Sequence, residues 1–451
     1  MTTTVIAGGM LVLPDRITRA DLVIRAGTIV GITTDASALA ADRVIDAAGL
    51  LVLPGGVDVH THAYDPDPQG REGFDTLTRA AAAGGVTTIV EMPMSEPAAT
   101  NGATFRARIA LIGAKAVVDV AMYGAATAGQ PPDALDELCA EGALALKAFM
   151  CGGSAAMPPV DDAELVRALE VAIRHETFLT VHAENDSLLG AGLARMQAAA
   201  RHDPLAHAAS RPPIVEAEAV RRAIFLAEQI GAHIHIAHVS CALAVEAVRE
   251  AQARGVRVTA ETCPQYLLLT ENDLARLGPW ALCAPPLRPP ADVEAVWEGL
   301  RDGTLALVCS DHCGFTIAEK QRGEADIFAA PMGIGTIQQM LPTVFHEAMH
   351  HRGWTWPEIV MRTSTAPARI FGLAPRKGTL AVGGDADLVL YAPDQVWTVR
   401  PEDLLHRNKW SPFVGREITG RVRATLVRGE TVYRDGAIHV TGGYGQFLPR
   451  S

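Results

Sequence analysis

The amino-acid sequence predicts an α/β protein: a (β/α)8 barrel of the TIM type with a small β-sandwich domain built from both termini. Three observations support this fold class. Through the middle of the chain, short apolar runs alternate with alanine-rich periodic stretches, as strands alternate with helices. Both ends consist of short strand-like runs separated by Gly, Pro or Asp. The length of 451 residues accommodates a barrel and an added small domain.

Residues 1–53 are predicted to form the first part of the sandwich, because their apolar runs are short and bounded by turn-forming residues. The predicted strands are Thr4–Ile6, Leu11–Leu13, Leu22–Arg25, Thr28–Ile32 and Arg43–Asp46. Residues 374–451 have the same pattern and are predicted to complete the sandwich. Their strands are Asp387–Tyr391, Thr425–Arg428, Thr431–Tyr433 and Ala437–Val440.

Residues 54–373 are predicted to form the barrel, because eight βα units with insertions occupy a segment of roughly this length. The predicted strands are Val57–His60, Thr87–Met92, Val117–Tyr123, Ala143–Phe149, Phe178–His182, His233–His238, Val256–Glu261 and Leu305–Ser310. The helical stretches include Phe74–Ala83, Ala163–His175, Val215–Gln229 and Ala242–Arg254. A doubly wound sheet shows the same alternation, but no GxGxxG opens a helix after the first strand.

The composition excludes several classes of protein. Hydrophobic residues make up 49% and charged residues 20% of the chain, which is typical of a globular protein and not of a disordered one. The net charge of −12 argues against nucleic acid or an anionic membrane surface as the main partner. No apolar run reaches the length of a membrane span, and the first residues lack the basic start of a signal peptide. The seven cysteines show no CxxC spacing, which indicates free thiols and a cytoplasmic location.

Side chains that can bind a metal ion stand at the predicted carboxyl ends of the barrel strands, where barrels place their active sites. His60 and His62 are two residues apart, so their side chains face the same side of the first strand. His182, His238 and Asp311 stand at the ends of the fifth, sixth and eighth strands. Four imidazoles and a carboxylate suit a divalent ion such as Zn²⁺. The structural alternative for the His60 and His62 pair is two hydrogen-bonded core histidines.

Asp311 has two candidate functional roles, because a carboxylate can bind a metal ion and can also carry a proton. Its structural alternative is an N-cap for the segment that follows. The neighbouring His312 faces the other way if the strand continues. We therefore predict that His312 supports the site from outside.

Lys147 is a further unusual residue at these strand ends. It lies in an apolar strand and is one of only five lysines in the chain. An ordinary lysine at a strand end would extend its ammonium group to solvent. Two cations would repel an ammonium, whereas a lysine carboxylated by CO₂ is an anion whose two oxygens can bridge two metal ions. The sequence therefore predicts a carboxylated Lys147 in a site with two divalent ions.

Together these motifs resemble those of the cyclic amidohydrolases, a group that contains hydantoinases (dihydropyrimidinases), allantoinases and dihydroorotases. The resemblance covers nearly the whole chain. It rests on Pro54–His62, the strand of Lys147, Val181–Asn185, His238–Ser240, Glu261–Leu267 and Ser310–His312, with further matches at Gly73–Thr88, Thr365–Leu373 and Gly383–Leu388. The pattern is most similar to allantoinases and L-type hydantoinases.

The resemblance implies a binuclear metal centre at the mouth of the barrel, with Zn²⁺ as the expected metal. The ligands that it carries over are His60, His62, carboxylated Lys147 and Asp311 for one ion, and Lys147, His182 and His238 for the other. Two cations lower the pKa of a water molecule between them, so that hydroxide is present at neutral pH. Asp311 would accept the proton and deliver it to the leaving ring nitrogen.

The resemblance also narrows the substrate to a five-membered cyclic ureide, either allantoin or a 5-substituted hydantoin, which is opened to the carbamoyl acid. Dihydroorotases carry an arginine where this chain has Tyr64, and D-type hydantoinases carry a tyrosine where it has Gly152. Dihydropyrimidinase or dihydroorotase-like activity is the alternative. Backbone contacts to the ring would come from Ala284, Gly333 and Gly335.

Two other classes of function stay open. A non-catalytic dihydropyrimidinase-like assembly protein would have lost metal ligands, whereas this chain fills every ligand position. Another amidohydrolase reaction, such as deamination or phosphoester cleavage, would keep the metal ions but would not explain the matched loops. We expect a small-molecule substrate, no nucleic-acid or membrane partner, and a homo-oligomer, which the resemblance implies to be a tetramer.

Overall fold

The computed structural model describes residues 2–152, 154 and 156–450. The strands of these residues are β1 (Thr3–Ala7), β2 (Met10–Val12), β3 (Ile17–Arg19), β4 (Asp21–Arg25), β5 (Thr28–Thr33), β6 (Arg43–Asp46), β7 (Leu51–Pro54), β8 (Gly56–His62), β9 (Val86–Glu91), β10 (Asp119–Ala125), β11 (Ala145–Phe149), β12 (Leu179–His182), β13 (Ile234–Ile236), β14 (Val258–Thr262), β15 (Leu307–Val308), β16 (His312–Cys313), β17 (Leu388–Thr398), β18 (Glu417–Val427), β19 (Glu430–Arg434) and β20 (Ala437–Ile438).

The α-helices of the same residues are α1 (Phe74–Ala83), α2 (Gly102–Lys115), α3 (Ala134–Ala140), α4 (Asp162–Arg174), α5 (Asp186–Ala198), α6 (Pro204–Ser210), α7 (Pro213–Ile230), α8 (Ala242–Ala253), α9 (Pro264–Leu268), α10 (Glu271–Leu277), α11 (Pro290–Asp302), α12 (Ile317–Gln321), α13 (Ile337–His351), α14 (Trp356–Val360) and α15 (Ala366–Ile370). Several helices are rich in alanine on their buried side. In α1, for example, Ala80, Ala81 and Ala82 are fully buried, and such small side chains let a helix pack closely on the strands.

The central sheet is parallel, with strand order β15-β14-β13-β12-β11-β10-β9-β8-β16. Its eighth strand is interrupted, so that β15 pairs with β14 and β16 pairs with β8. Only residues 309–311 separate the two pieces, and the sheet therefore closes on itself as a barrel. The predicted (β/α)8 fold is confirmed, with strand boundaries that shift by a few residues.

The eighth strand is shorter than the predicted Leu305–Ser310, because β15 covers only Leu307–Val308 and the second piece, β16, follows at His312–Cys313. Asp311 has a positive φ of 46°, a backbone conformation that no regular strand contains. The turn at this residue ends β15 and redirects the chain before β16 begins. The break brings the side chain of Asp311 to the mouth of the barrel.

Two smaller sheets hold the ends of the chain, in the orders β5-β4-β1-β6 and β20-β19-β18-β17-β7-β2-β3. Their shared core contains Ile6 and Leu22 from the first part of the chain and Leu388 and Leu426 from the last part. This confirms a β-sandwich built from both termini. The sequence predicted only part of β17 and β18, because their exposed or mixed segments lack a clear apolar pattern. It did not predict β3, which is short and largely exposed, or β7, although the four residues of β7 are buried and did carry an apolar signal.

We propose that the domain boundaries lie at residues 53/54 and 373/374, as the sequence indicates. In support, β7 pairs with β17 in the sandwich, while β8 begins at Gly56 and pairs in the barrel. After α15, the chain returns to the sandwich, where Leu380 belongs to its core.

A buried charge cluster joins the barrel to the sandwich. The Nζ of Lys377 donates to Asp119 at 2.6 Å and to Asp387 at 2.7 Å, and it lies 2.8 Å from Asp385. Asp119 begins β10 of the barrel, whereas Asp387 precedes β17 of the sandwich. Although burial acts to lower it, the pKa of Lys377 is held above its usual value by these three carboxylates.

We expect Lys377→Met to destabilise the protein by about 3–5 kcal/mol, because Asp387 would be left buried without a cationic side chain among the described residues. Asp119 keeps its contact with Arg428. The measurement is the free energy of unfolding from urea denaturation. Arg423→Met is the matched control, since Arg423 pairs with Asp435 on the surface and its loss should cost less than about 1 kcal/mol. Equal effects of the two variants would show that the cluster does not hold the domains together.

Candidate active site

Three predicted ligands meet at the mouth of the barrel. His60 and His62 lie near the end of β8 and are almost fully buried. The Nε2 atom of each imidazole is 3.2 Å from Oδ1 of Asp311. One ligand atom from each of the three residues lies within 4.8 Å of the others, a spacing that suits a metal ion.

The other two histidines form a second pair beside the first. His182 ends β12, and its Nδ1 atom is 2.9 Å from Nε2 of His238. The rings of His238 and His60 are 5.2 Å apart, so the two pairs are neighbours. His238 has a positive φ of 38°, and Asp311 shares this rare backbone conformation. Such positions cost about 1–3 kcal/mol and concentrate at functional sites.

Lys147 lies in β11 and is fully buried. Its Nζ atom has no hydrogen-bond partner among the described residues, and it lies 5.1 Å from the centre of the Phe149 ring. Burial lowers the pKa of Lys147 to about 8, against the opposing effects of Glu261 and Asp311. A buried amine without a partner is unfavourable, so this position suits a lysine whose nitrogen carries a further group.

Two buried glutamates hold the histidines from behind. Glu261 contacts Nδ1 of His60 and lies 3.1 Å from Nε2 of His235. Glu184 lies 2.9 Å from Nε2 of His182 and accepts from Arg211 at 2.5 Å. In metal sites, carboxylates of this kind fix the orientation and tautomer of the ligating imidazole.

The supporting roles of these glutamates were not predicted from the sequence, although a signal was present. Glu184 follows His182 by two residues, and Glu261 stands at the end of a predicted barrel strand. Arg211 carried no such signal, because it lies between helices α6 and α7 and reaches the site only through the folded chain.

The charges around the site favour a bound cation. Although burial acts to raise it, the pKa of Asp311 is held below its usual range by His60 and His62. Burial also opposes the ionisation of Glu261, yet His60 and His235 hold its pKa well below its usual value. Burial and the neighbouring His182 keep the pKa of His238 low. A neutral imidazole such as that of His238 and ionised carboxylates are donors that divalent ions bind.

A cavity of about 330 Å³ opens above these residues. His60, His62, His182, His238 and Asp311 form its floor, whereas Lys147 lies beneath it. Large apolar side chains form much of its wall, namely Tyr64, Met94, Phe149, Phe315 and Met332. The cavity is thus charged at one end and mainly apolar around its sides, as is common for small-molecule sites.

The residues predicted to contact the substrate are only partly on this wall. Ala284 and Gly333 line the cavity. Gly335 lies outside the described wall, against the carbonyl of Trp410, where an added Cβ would approach to 2.8 Å. A contact between Gly335 and the substrate therefore stays a prediction.

His312 lies away from the cavity, on the side that the sequence indicated. Its Nδ1 atom accepts from the backbone N–H groups of Thr336 and Ile337, and its Nε2 atom lies 3.3 Å from Glu72. Asp311 is not the N-cap of the next helix, because α12 begins at Ile317 and is capped by Thr316. The N-cap interpretation of Asp311 is therefore wrong.

Comparison with known proteins agrees with the fold. Residues 51–432 match the Amidohydrolase family. An allantoinase from Rubrobacter xylanophilus is 40% identical over 447 residues, which cover 99% of this chain and 96% of that protein. An L-hydantoinase from Paenarthrobacter aurescens is 35% identical over 442 residues, or 98% of this chain and 96% of that protein. The solved L-hydantoinase (dihydropyrimidinase) from Arthrobacter aurescens has a TM-score of 0.97 at 34% identity, with 100% of both chains covered.

A buried set of candidate metal ligands at the mouth of a (β/α)8 barrel, together with these likenesses, defines the class of protein as a hydrolase. The chain belongs to the amidohydrolase family, and it is an enzyme that hydrolyses cyclic amides. Membership of this family implies the use of divalent metal ions, for which His60, His62 and Asp311 are candidate ligands. Among the described residues, no helix has both the length and the apolar character needed to cross a membrane.

We expect Glu261→Gln to weaken metal binding by about 10- to 100-fold while the protein stays folded, because His60 loses the carboxylate that orients it. Competition with a chromogenic chelator measures the affinity, and circular dichroism checks the fold. Glu246→Gln is the control, since Glu246 pairs with Arg249 on the surface. Unchanged metal affinity in Glu261→Gln would contradict a supporting role for this carboxylate.

Proposed function

We propose that this enzyme is a binuclear metal-dependent hydrolase that opens the amide C–N bond of a five-membered cyclic ureide, allantoin or a 5-substituted hydantoin, to the carbamoyl acid. The observation that carries the proposal is that two groups of candidate ligands lie side by side, with the rings of His60 and His238 5.2 Å apart. One group is His60, His62 and Asp311, and the other is His182 with His238. Lys147 lies buried beneath the cavity that they line, without a partner among the described residues.

The donor set fits two divalent ions, which we propose to be Zn²⁺. His60, His62 and Asp311 would hold one ion, His182 and His238 the other, and a carboxylated Lys147 would bridge them. The unpartnered Nζ of Lys147 supports this arrangement, as do the Nδ1 atoms of His62 and His238, which have no hydrogen-bond partner among the described residues. When bound, such ions polarise a carbonyl group and supply hydroxide at neutral pH.

The chain's own residues provide the proton transfer and the positioning. Asp311 faces the cavity, and Oδ1 of its carboxylate lies 3.2 Å from two imidazoles. It would accept a proton from the attacking water and deliver it to the ring nitrogen as the C–N bond breaks. Glu261 and Glu184 hold the imidazoles in place during this transfer.

The charged residues of the cavity wall favour a substrate whose ring carries no carboxylate substituent. Two arginines reach the wall, but both are already engaged. Arg71 donates two hydrogen bonds to Glu319, at 2.9 and 2.8 Å, and Arg211 donates to Glu184. Each cation is already paired with a carboxylate of the protein, which disfavours dihydroorotate as the substrate.

Two candidate substrates have separate support. The apolar side chains of Met94, Phe149 and Phe315 favour a hydantoin with an apolar substituent. The likeness to an allantoinase, 40% identical over 447 residues, favours allantoin.

We also propose a homo-oligomer and a cytoplasmic location, the latter supported by seven free cysteines.

A panel of cyclic ureides tests the proposed function. We expect the zinc-loaded enzyme to open allantoin or a 5-substituted hydantoin with a kcat/KM at least about tenfold above that for dihydrouracil or dihydroorotate, since each 1.4 kcal/mol of selective binding is worth a factor of ten. Formation of the carbamoyl acid is followed by chromatography, with metal-free enzyme as the control. A metal-loaded enzyme that opens none of these rings would overturn the proposal.

We expect Lys147→Ala to lose most of its bound metal and its activity, because the two ions lose the ligand that joins them. Added acetate or propionate should restore part of both, since a free carboxylate can occupy the space of the missing group. The same acids should not restore Asp311→Asn, which serves as the control. Full metal content in Lys147→Ala without added acid would contradict the bridging role.

We expect Asp311→Asn to lower kcat by about 10²- to 10⁴-fold, the usual contribution of general acid–base catalysis. The amide keeps the size of the side chain and one oxygen ligand, so metal content should largely survive. Elemental analysis and Tm measured on the same preparation separate lost chemistry from lost structure. A near-normal kcat would remove Asp311 from the catalytic residues.

A further inference from the structure

Lys320 is a second buried lysine near the cavity, and the proposed chemistry makes no use of it. It belongs to α12 and is fully buried. Its Nζ atom donates to three backbone carbonyls, those of Gly333 at 2.9 Å, Pro331 at 3.1 Å and Leu282 at 3.4 Å. Nζ also lies 5.3 Å from the centre of the Trp410 ring. Among the described residues, Lys320 forms no ion pair.

This environment is a poor one for stabilising the fold. Lys377, equally buried, is surrounded by three carboxylates that compensate its charge. Lys320 has only neutral acceptors and aromatic rings, and its neighbour Glu319 is engaged with Arg71. A buried ammonium without a carboxylate carries a large desolvation penalty. The contribution of Lys320 is therefore to be sought in the groups that it holds.

Those groups are two segments of the cavity wall. Pro331 and Gly333 line the cavity together with Met332, and Ala284 lines it from the other segment, two residues after Leu282. The segments also contact each other directly, since the N–H of Gly333 donates to the carbonyl of Leu282 at 2.8 Å. Lys320 does not line the cavity, so it joins both segments from behind.

The hydrogen bonds from Lys320 also fix the direction of the peptide groups. In a trans peptide the C=O and N–H bonds point in opposite directions. With the carbonyl of Pro331 turned toward Lys320, the N–H of Met332 must point away from Lys320. The carbonyl of Gly333 is also turned toward Lys320. The N–H group of the residue after Gly333 must therefore point away from Lys320 as well. A change at Lys320 would release both peptides while leaving the metal ligands untouched.

We propose that Lys320 is a positioning residue for the substrate. Its ammonium group holds the backbone segments 282–284 and 331–333 in the arrangement that receives the cyclic ureide ring. This inference rests on the proposed function, because it assumes that the ring binds in the cavity above Asp311. It assigns to Lys320 an effect on substrate binding that is separate from metal binding and bond cleavage.

Steady-state kinetics of Lys320→Met test the inference, because Met keeps the length of the side chain and removes all three donors. We expect KM to rise by about 10- to 100-fold, because the variant loses the hydrogen bonds that hold the two backbone segments of the cavity wall. We expect kcat to change less than about threefold, with unchanged metal content. Lys409→Met is the matched control, because Lys409 is exposed and adjacent to Trp410. An unchanged KM, or a parallel fall in kcat and metal content, would overturn the inference.

Two further variants keep the test decisive if Lys320→Met does not fold. Lys320→Gln retains two N–H donors without the charge, and Lys320→Arg retains both the charge and several donors. We expect KM values between those of wild type and Lys320→Met. If none of the three variants folds, Lys320 is a determinant of stability and the inference fails. Wild-type enzyme that opens no cyclic ureide would instead overturn the proposed function, which keeps the two failures distinct.

Discussion

The closure of eight parallel strands into one barrel is the constraint on which the site depends. Parallel pairing places all carboxyl ends at one rim, so residues far apart in sequence become neighbours. In the observed register, His62 pairs with Cys313 and Phe149 pairs with His182. The interruption of the eighth strand adds the last candidate ligand, because the chain turns at Asp311, whose carboxylate lies 3.2 Å from both His60 and His62. Geometry of the sheet, not local sequence, therefore assembles the donor set.

Three of the five lysines are fully or almost fully buried. Burial of an ammonium group is unfavourable, and the groups around the Nζ atom differ in each case. Lys377 is compensated by carboxylates and joins two domains. Lys320 is surrounded by carbonyls behind the cavity wall. Lys147 has no partner among the described residues, although the histidines and Asp311 line the cavity directly above it. Only the third arrangement is incomplete without a further group, which is why the binuclear proposal is built on Lys147.

The sequence predicted the barrel, the sandwich and the residues at the strand ends, because strand parity and apolar runs are local signals. His60 and His62 face one side for this reason alone. It did not predict the partners of those residues. The contact of Glu261 with both His60 and His235 depends on the register of strands that are far apart in sequence. The carbonyls around Lys320 depend on the path of two loops, and no spacing rule describes such a path.

The floor and the wall of the cavity differ in physical character. This difference separates the residues for bond cleavage from the residues that select the substrate. The floor consists of imidazoles and carboxylates whose orientation is fixed by buried partners such as Glu261 and Glu184. The wall is mainly apolar and is carried by loops, including the segment that contains Met332. Substitutions in the wall can change which ring is accepted without moving a ligand on the floor. Proteins named allantoinase and L-hydantoinase, both similar to this chain along nearly its whole length, are consistent with such a division. The identity of the substrate is therefore to be sought in the loops, whereas the rim of the barrel carries the candidate metal ligands.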